Sequence, residues 1–342
     1  MPSSAPAAAG SANVSASSAI DPRLIAVVFT APEHFHAPER GFVRRSCGNH
    51  QRVPMRVLLA TNPRARRGAD ARARAEAALQ ARGHTLTSIE CTEDRDLSDQ
   101  IAEYRGRVDV VAVGGGDGTL IRAIRGVRAA EVPLAILPLG TINELARTLR
   151  VPTDTEAACA LIDDGTPHRI DVGCVNGFWF FNEASIGLST HVAREQTGEV
   201  KSRWGMLAIP LATARSLRRM RAHHLEVETD AGEVRHFRTV QLTIANSSRF
   251  GGVVENPDAS IDDGQLEVYS IDLRHWWDAL AIVGAVALKR LPDAKGVRTL
   301  RGPRFTVRSR RPHQVFADGE PATSTPAEFS VLARAVAVFV PR

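Results

Sequence analysis

The chain has 342 residues, 44% hydrophobic and 24% charged, with a formal net charge of +5. That length suits two domains of ordinary size, and that balance is the one of a soluble globular protein. Its four cysteines, Cys47, Cys91, Cys159 and Cys174, form no CxxC pair. They are too sparse for a disulfide framework, which excludes a stapled secreted fold and points to reduced thiols in a cytoplasmic protein. The small positive charge suits a phosphate-bearing partner, a nucleotide or an anionic membrane face, without choosing between them. No nucleic-acid partner is expected.

Residues 1–54 read as a disordered tail, small residues first and then scattered Pro, His and Arg without periodicity. Cys47 lies near His34, His36 and His50, but the spacing fits no familiar zinc site. The first twenty residues hold no Lys or Arg, so the charged start of a signal peptide is missing. From Arg56 to Thr61 a buried strand runs into the turn Asn62-Pro63. A helix is predicted over Asp70 to Arg82, stopped by Gly83, followed by a strand from His84 to Thr92 and a helix from Leu97 to Gly106. A third strand, Val108 to Val113, opens into Gly114-Gly115-Gly116-Asp117-Gly118-Thr119, and Leu120 to Arg128 is helical. A fourth strand, Val132 to Leu137, precedes Pro138-Leu139-Gly140-Thr141 and a helix from Asn143 to Leu149. This alternation predicts a doubly wound, mainly parallel α/β domain.

After about residue 168 the pattern changes to short strands: Phe178 to Phe181, Leu225 to Thr229, Val240 to Ala245, Gln265 to Ile271, Arg304 to Val307 and Phe329 to Leu332. They predict a second, β-rich, sandwich-like domain over residues 168–326. A last strand, Ala335 to Val340, is expected to return to the first domain, which then comprises 55–167 and about 327–342, with the active site in the cleft between the two. The apolar run from Trp276 to Leu288 is broken by Asp278 and falls short of the roughly 20 residues of a spanning helix.

The strongest local signal is the glycine turn at 114–119. Glycines there let backbone N–H groups approach phosphate oxygens, and the following helix N-terminus favours an anion. Asp117 places a carboxylate where the magnesium accompanying a nucleotide could bind. A tight βα turn alone needs fewer glycines than this. The run matches neither GxxxxGK[ST] nor GxGxxG, against a P-loop ATPase or a Rossmann dehydrogenase. Asp318-Gly319-Glu320 sets two carboxylates on one turn; alone it reads as an Asp-Gly hairpin, while facing the glycine turn it could orient and deprotonate a hydroxyl during phosphoryl transfer.

Together these motifs resemble the diacylglycerol kinase-like lipid kinases, a family including bacterial diacylglycerol kinases and sphingosine kinases. GGDGT alone is shared with NAD kinases. Four further matches narrow the choice: Pro138 to Arg147 is similar to PxGTxNDFAR, Asp171-Val172-Gly173 with Phe181 to Leu188 to DxG…FxNxxxxG, Asp262 to Leu266 to DDGxL, and Asp318-Gly319-Glu320 to DGE. They stand in the family's order from residue 56 to the end.

The resemblance implies an ATP- and Mg2+-dependent lipid kinase. It implies ATP contacts at Asn62, Pro63, Thr92, Gly115, Gly116, Asp117, Gly118, Thr119 and Thr141, catalytic acids Asp318, Glu320 and Asp171, and a structural magnesium held by Ser260, Asp263 and Gln265. The chain departs from the family at Arg64-Ala65-Arg66, where NPxSG continues with Ser-Gly, and at Ile121-Arg122, where Asn-Glu is usual. The substrate is then a lipid, diacylglycerol-like. A basic run, Arg215, Arg218, Arg219 and Arg221, beside Trp204, Met206 and Leu207, and the pair Trp276-Trp277, reads either as a peripheral membrane contact or as a solvated face and a buried helix. Two other readings stand beside this one: an NAD kinase-like phosphotransferase with a soluble substrate, and an inactive lipid- or nucleotide-binding regulator.

Overall fold

The computed structural model describes residues 53–65, 68–91, 95–187, 222–250, 254–256, 259–288 and 290–342. Thr92, Arg66, the basic run from Arg215 to Arg221 with Trp204, Met206 and Leu207, and the expected tail up to Arg52 lie outside the described residues.

Strand β1 (Arg56–Thr61) buries Val57, Leu58, Leu59 and Ala60 completely, as a central parallel strand must when helices cover both faces. Helix α1 (Gly68–Ala81) turns Ala71, Ala75 and Leu79 inward at four-residue spacing and is stopped at Gly83, whose φ is +86°. Strand β2 (Thr85–Glu90) leads to α2 (Leu97–Ala102), capped by the Asp96 carboxylate on the amides of Ser98 and Asp99. This helix is shorter than the periodicity predicts. The amides of Tyr104, Arg105 and Arg107 bond three residues back, so the chain tightens into turns and leaves at Gly106, where φ is +72°.

Strand β3 (Val110–Gly115), α3 (Asp117–Ala130), β4 (Leu134–Pro138), α4 (Glu144–Thr148) and α5 (Thr155–Asp164) complete this half. Leu120, Ala123, Ile124 and Val127 give α3 a single buried stripe. The strand order β2-β1-β3-β4 is all parallel. Right-handed crossovers then put α1 and α5 in one layer and α2 and α3 in the other, and those are the helices that pack together.

The remaining strands are β5 (Thr166–Val175), β6 (Phe178–Phe180), β7 (Glu183–Ile186), β8 (His223–Thr229), β9 (Val234–Thr239), β10 (Gln241–Ala245), β11 (Arg249–Phe250), β12 (Val254–Glu255) and β13 (Leu266–Ile271). Helix α6 (Trp276–Ala287) and β14 (Val297–Gly302), β15 (Arg304–Ser309), β16 (Gln314–Ala317), β17 (Glu320–Ser324) and β18 (Ala327–Val340) close the chain. No helix of the described residues is long and apolar enough to cross a membrane.

The parallel strands do not form a separate sheet. The 14-residue β18 pairs with β5 along one edge; on its other edge it takes β15 near its start and β4 near its end. One ten-stranded sheet therefore runs through both halves. A second sheet, in the order β14-β13-β10-β7-β16-β17, closes a sandwich over its far end. Leu242, Ile244, Leu266 and Val268 from the second sheet meet Leu225, Val227, Phe305 and Phe329 from the first in one buried core. The fold is thus α/β with a β-sandwich-like C-terminal part. The sequence left α5, β5, β7, β9, β11, β12, β14, β16 and β17 unpredicted and split β18 in two.

Phe305 and Phe329 are directly opposed on neighbouring strands and both fully buried. Phe329→Ala leaves a cavity that this cross-strand neighbour cannot fill. It is expected to cost about 3–5 kcal/mol of unfolding free energy, measured by denaturant titration. A loss below about 1 kcal/mol would show that the sandwich core repacks around the site.

Candidate active site

Two βα turns meet at the C-terminal ends of β3 and β4. Gly116 precedes α3, and Gly140 follows β4. They approach so closely that a Cβ on Gly140 would stand 2.5 Å from the Gly116 Cα and 2.7 Å from Asn143 Oδ1. The Gly115 carbonyl accepts the amides of Leu139 (2.9 Å) and Gly140 (3.2 Å). Asn143, at φ +51°, clamps the second turn: its Oδ1 accepts the Gly140 amide and its Nδ2 donates to the Gly140 carbonyl, both at 2.9 Å.

Asp117 joins the two turns. Its Oδ2 accepts the Glu144 amide at 3.0 Å and its Oδ1 the Leu145 amide at 3.1 Å. Those are first-turn amides of α4, which have no acceptor within their own helix. Asn62 supports the arrangement from β1: its amide donates to the Gly114 carbonyl (2.9 Å), its Nδ2 to Thr119 Oγ1 (3.1 Å), and its Oδ1 accepts the Arg64 amide (2.9 Å). Pro63 is exposed in that turn.

Opposite stands the hairpin between β16 and β17. Its two loop residues, Asp318 and Gly319, have φ of +46° and +87°, the pair of left-handed residues that a tight hairpin requires. The Asp318 carboxylate lies against the start of β7. Oδ2 accepts the Phe181 amide (2.7 Å), and Oδ1 accepts those of Asn182 (2.9 Å) and Glu183 (3.1 Å). In return the Asp318 amide donates to the Glu183 carbonyl at 2.8 Å. Burial pushes the Asp318 carboxyl up to about 6; the three amides oppose the shift and the Asp117 charge adds to it. An ionised carboxylate offers about four lone-pair sites. Three carry amides, so the remaining one is on Oδ2.

Between these turns lies a cavity of about 190 Å³. Gly116, Asp117, Gly118, Thr141, Ile142 and Glu144 form one wall; Asn182, Glu183, Asp318 and Glu320 form the other. The structure therefore brings together six residues expected from the sequence: Gly116, Asp117, Gly118, Thr141, Asp318 and Glu320. Gly115, Thr119 and Asn62 buttress the turn from behind. No role was expected for Glu144, Asn182 or Glu183. Glu144 follows Asn143 in the second motif and Asn182-Glu183 lie in the FxN block, so motif membership was the available signal.

Asp171 is not in the cavity wall. It is 1% exposed and acts as a bolt: Oδ2 accepts the Gly264 amide and Oδ1 the Arg334 amide, each at 2.6 Å. Burial raises its carboxyl above the ordinary value against those two amides. The bolt joins the Asp262-Asp263-Gly264 loop to the bulge in β18, where Arg334 has φ +49°.

The donors of that loop do not fit a divalent ion as they stand. Asp263 Oδ2 is 2.7 Å from Arg301 Nη2 and accepts the Ser260 amide at 3.2 Å, and Oδ1 accepts the Gln265 amide at 2.9 Å. A guanidinium supplies the positive charge. The Ser260 hydroxyl bonds Asp262, whose Oδ2 is 3.1 Å from His168 Nε2. Among the described residues no group of three His, Cys, Asp or Glu side chains could hold an ion alone. The cavity differs, because magnesium bound with phosphates needs only one or two carboxylates. Asp117 and exposed Glu320 line it, and Asn182, 1% exposed, has an Oδ1 with no partner among the described residues. That hard-oxygen set fits a nucleotide-borne cation.

Two domain families of known proteins match successive parts of the chain. The diacylglycerol kinase catalytic domain matches residues 56–175, and the YegS C-terminal NAD kinase beta sandwich-like domain matches 182–340. A diacylglycerol kinase of Staphylococcus saprophyticus is 30% identical over 237 residues, 68% of this chain and 77% of that one. One from Staphylococcus aureus is 29% identical over 238 residues, 68% and 75% of the two chains. A crystal structure from Bacillus anthracis, provisionally assigned as a diacylglycerol kinase, superposes with a TM-score of 0.72 at 25% identity, covering 86% of this chain and 98% of that one.

Replacing Asp171 tests its place as a bolt. Asp171→Asn substitutes an NH2 group for one acceptor and turns it on a buried amide. An unsatisfied buried donor costs about 1–3 kcal/mol, so the thermal midpoint is expected to drop by several degrees, read by calorimetry. A variant with an unchanged midpoint and lost turnover would put Asp171 at the chemistry.

Proposed function

The chain belongs to the diacylglycerol kinase family, and on that footing we propose that it transfers the γ-phosphoryl group of MgATP to a lipid hydroxyl of diacylglycerol type. The observation that carries this reading is the Asp318 carboxylate facing the glycine turn across one cavity. The phosphates lie along the first turn of α3, where Asp117 and Gly118 present amides without intrahelical acceptors and the helix field favours an anion. Thr141 adds a hydroxyl from the second turn. When bound with the nucleotide, magnesium offsets charge on the phosphates, and Asp117 and Glu320 would hold it.

Asp318 acts as the base. The lipid oxygen attacks the γ-phosphorus, its proton passes to Asp318 Oδ2, and the bond from phosphorus to the bridging oxygen breaks to release ADP. Three amides fix the carboxylate, so the remaining Oδ2 lone pair is aimed before the acceptor arrives. A carboxyl held near 6 is ionised at neutral pH yet still basic enough to take a proton. The acceptor reaches the cavity from a membrane face by peripheral contact.

Pure protein incubated with labelled ATP and a total lipid extract should yield a labelled lipid. With that lipid, Asp318→Asn should lower the maximal rate by about 10²–10⁴-fold while ATP affinity stays within a few-fold. The base must be unprotonated, so the wild-type rate should fall as pH drops below about 6, and Asp318→Asn should lose that acid limb. Label on a soluble acceptor alone, or near wild-type turnover by the variant, would refute the assignment.

A further inference from the structure

A second concavity, about 1760 Å³, lies wholly outside the cavity just described and shares no residue with it. Its walls are the outer face of β8, β9 and β15 and, across from them, the start of α6 and the approach to β14. Seven arginine and lysine side chains line it against three carboxylates, together with five histidines. Strand alternation explains the concentration. His224 is paired in register with Arg238, and Glu226 sits between His236 and Arg308, so polar side chains share the outer face while Leu225 and Val227 enter the core.

The acids do not neutralise this face. Asp272 is shared between Arg238 and Arg274, and Arg308 is met by Glu228. Arg298 lies over the Phe237 ring at 4.5 Å and donates to the His236 carbonyl at 3.3 Å. Arg310 and Arg311, at the end of β15, are exposed and form no ion pair among the described residues. At the rim, Trp277 is 52% exposed and stacks on His275 at 4.5 Å with an interplanar angle of 7°. A half-exposed tryptophan beside unneutralised arginines combines an amphipathic ring, suited to the headgroup level, with charge suited to phosphates.

We propose that this groove is the surface by which the protein docks on an anionic phospholipid bilayer, with Arg310 and Arg311 as its principal charge contacts and Trp277 at the headgroup level. The proposal rests on the lipid-kinase reading for the need of a membrane, and on the groove's own charge for the place. Single-stranded nucleic acid is the less suitable partner, because it is held by successive stacking platforms. Among the described residues of the groove, Phe237 is buried and Trp277 is the exposed large aromatic.

The test uses the full chain in cosedimentation with vesicles of equimolar phosphatidylglycerol and phosphatidylcholine, and with phosphatidylcholine alone. Binding is expected only with the anionic vesicles and should weaken at high salt, since screening acts on exposed charges. The double variant Arg310→Gln/Arg311→Gln should bind about thirtyfold more weakly. Its thermal midpoint and its turnover on detergent-dispersed lipid should not change. Equal binding by wild type and variant, equal binding to phosphatidylcholine, or displacement of the vesicles by an RNA homopolymer would overturn the proposal. If no lipid is phosphorylated by either protein while vesicle binding follows the expected pattern, the docking surface stands and the kinase reading falls.

Discussion

The architecture depends on aspartates that accept backbone amides from distant segments. Asp117 takes amides 27 and 28 residues away, Asp171 takes them 93 and 163 residues away, and Asp318 takes them 135 to 137 residues away. Each bond is charge-assisted, and so stronger than a neutral one. Each also specifies position, because a carboxylate fixes two amides at once. Together they hold the glycine turn to the second βα turn, the Asp262–Gly264 loop to β18, and the Asp318-Gly319 hairpin to β7. The cavity lies between the first and the third of these joints.

The joint at Asp318 shows how a structural feature becomes a chemical one. The Asp-Gly pair makes an ordinary tight hairpin, and its dihedrals are those of such a turn. The same turn directs the carboxylate into three amides that occupy all but one of its lone pairs. Desolvation keeps it weakly acidic while the amides keep it in place. The hairpin turn and the proposed base are therefore one object.

Much of the α/β half was legible because its strands are continuous apolar runs and its helices carry stops such as Gly83. The glycine turn and the Asp318-Gly319-Glu320 triplet could be read from residue types suited to phosphoryl transfer, and Thr141 from the family resemblance. What stayed hidden was long-range. Asp171 reads as a strand-end acid, and nothing nearby in sequence says that its partners are Gly264 and Arg334. Arg301, which meets Asp263, lies 38 residues further along the chain, on β14. Strands β9 and β14 carry exposed arginines and too few apolar residues to show period two, since one face meets water. The division of β18 into two expected strands came from Ala333-Arg334, the position of the bulge.

That long strand has a consequence for how the molecule is made. Every other described strand leaves the ribosome before β18, yet β4 finds its outer neighbour only there. Until then the nascent α/β half presents an open parallel edge, and β5 and β15 lack the strand that joins them. Unpaired edges of this kind recruit other chains. The interval between translation of β4 and arrival of β18, nearly two hundred residues, is thus when the chain is most open to pairing with another chain.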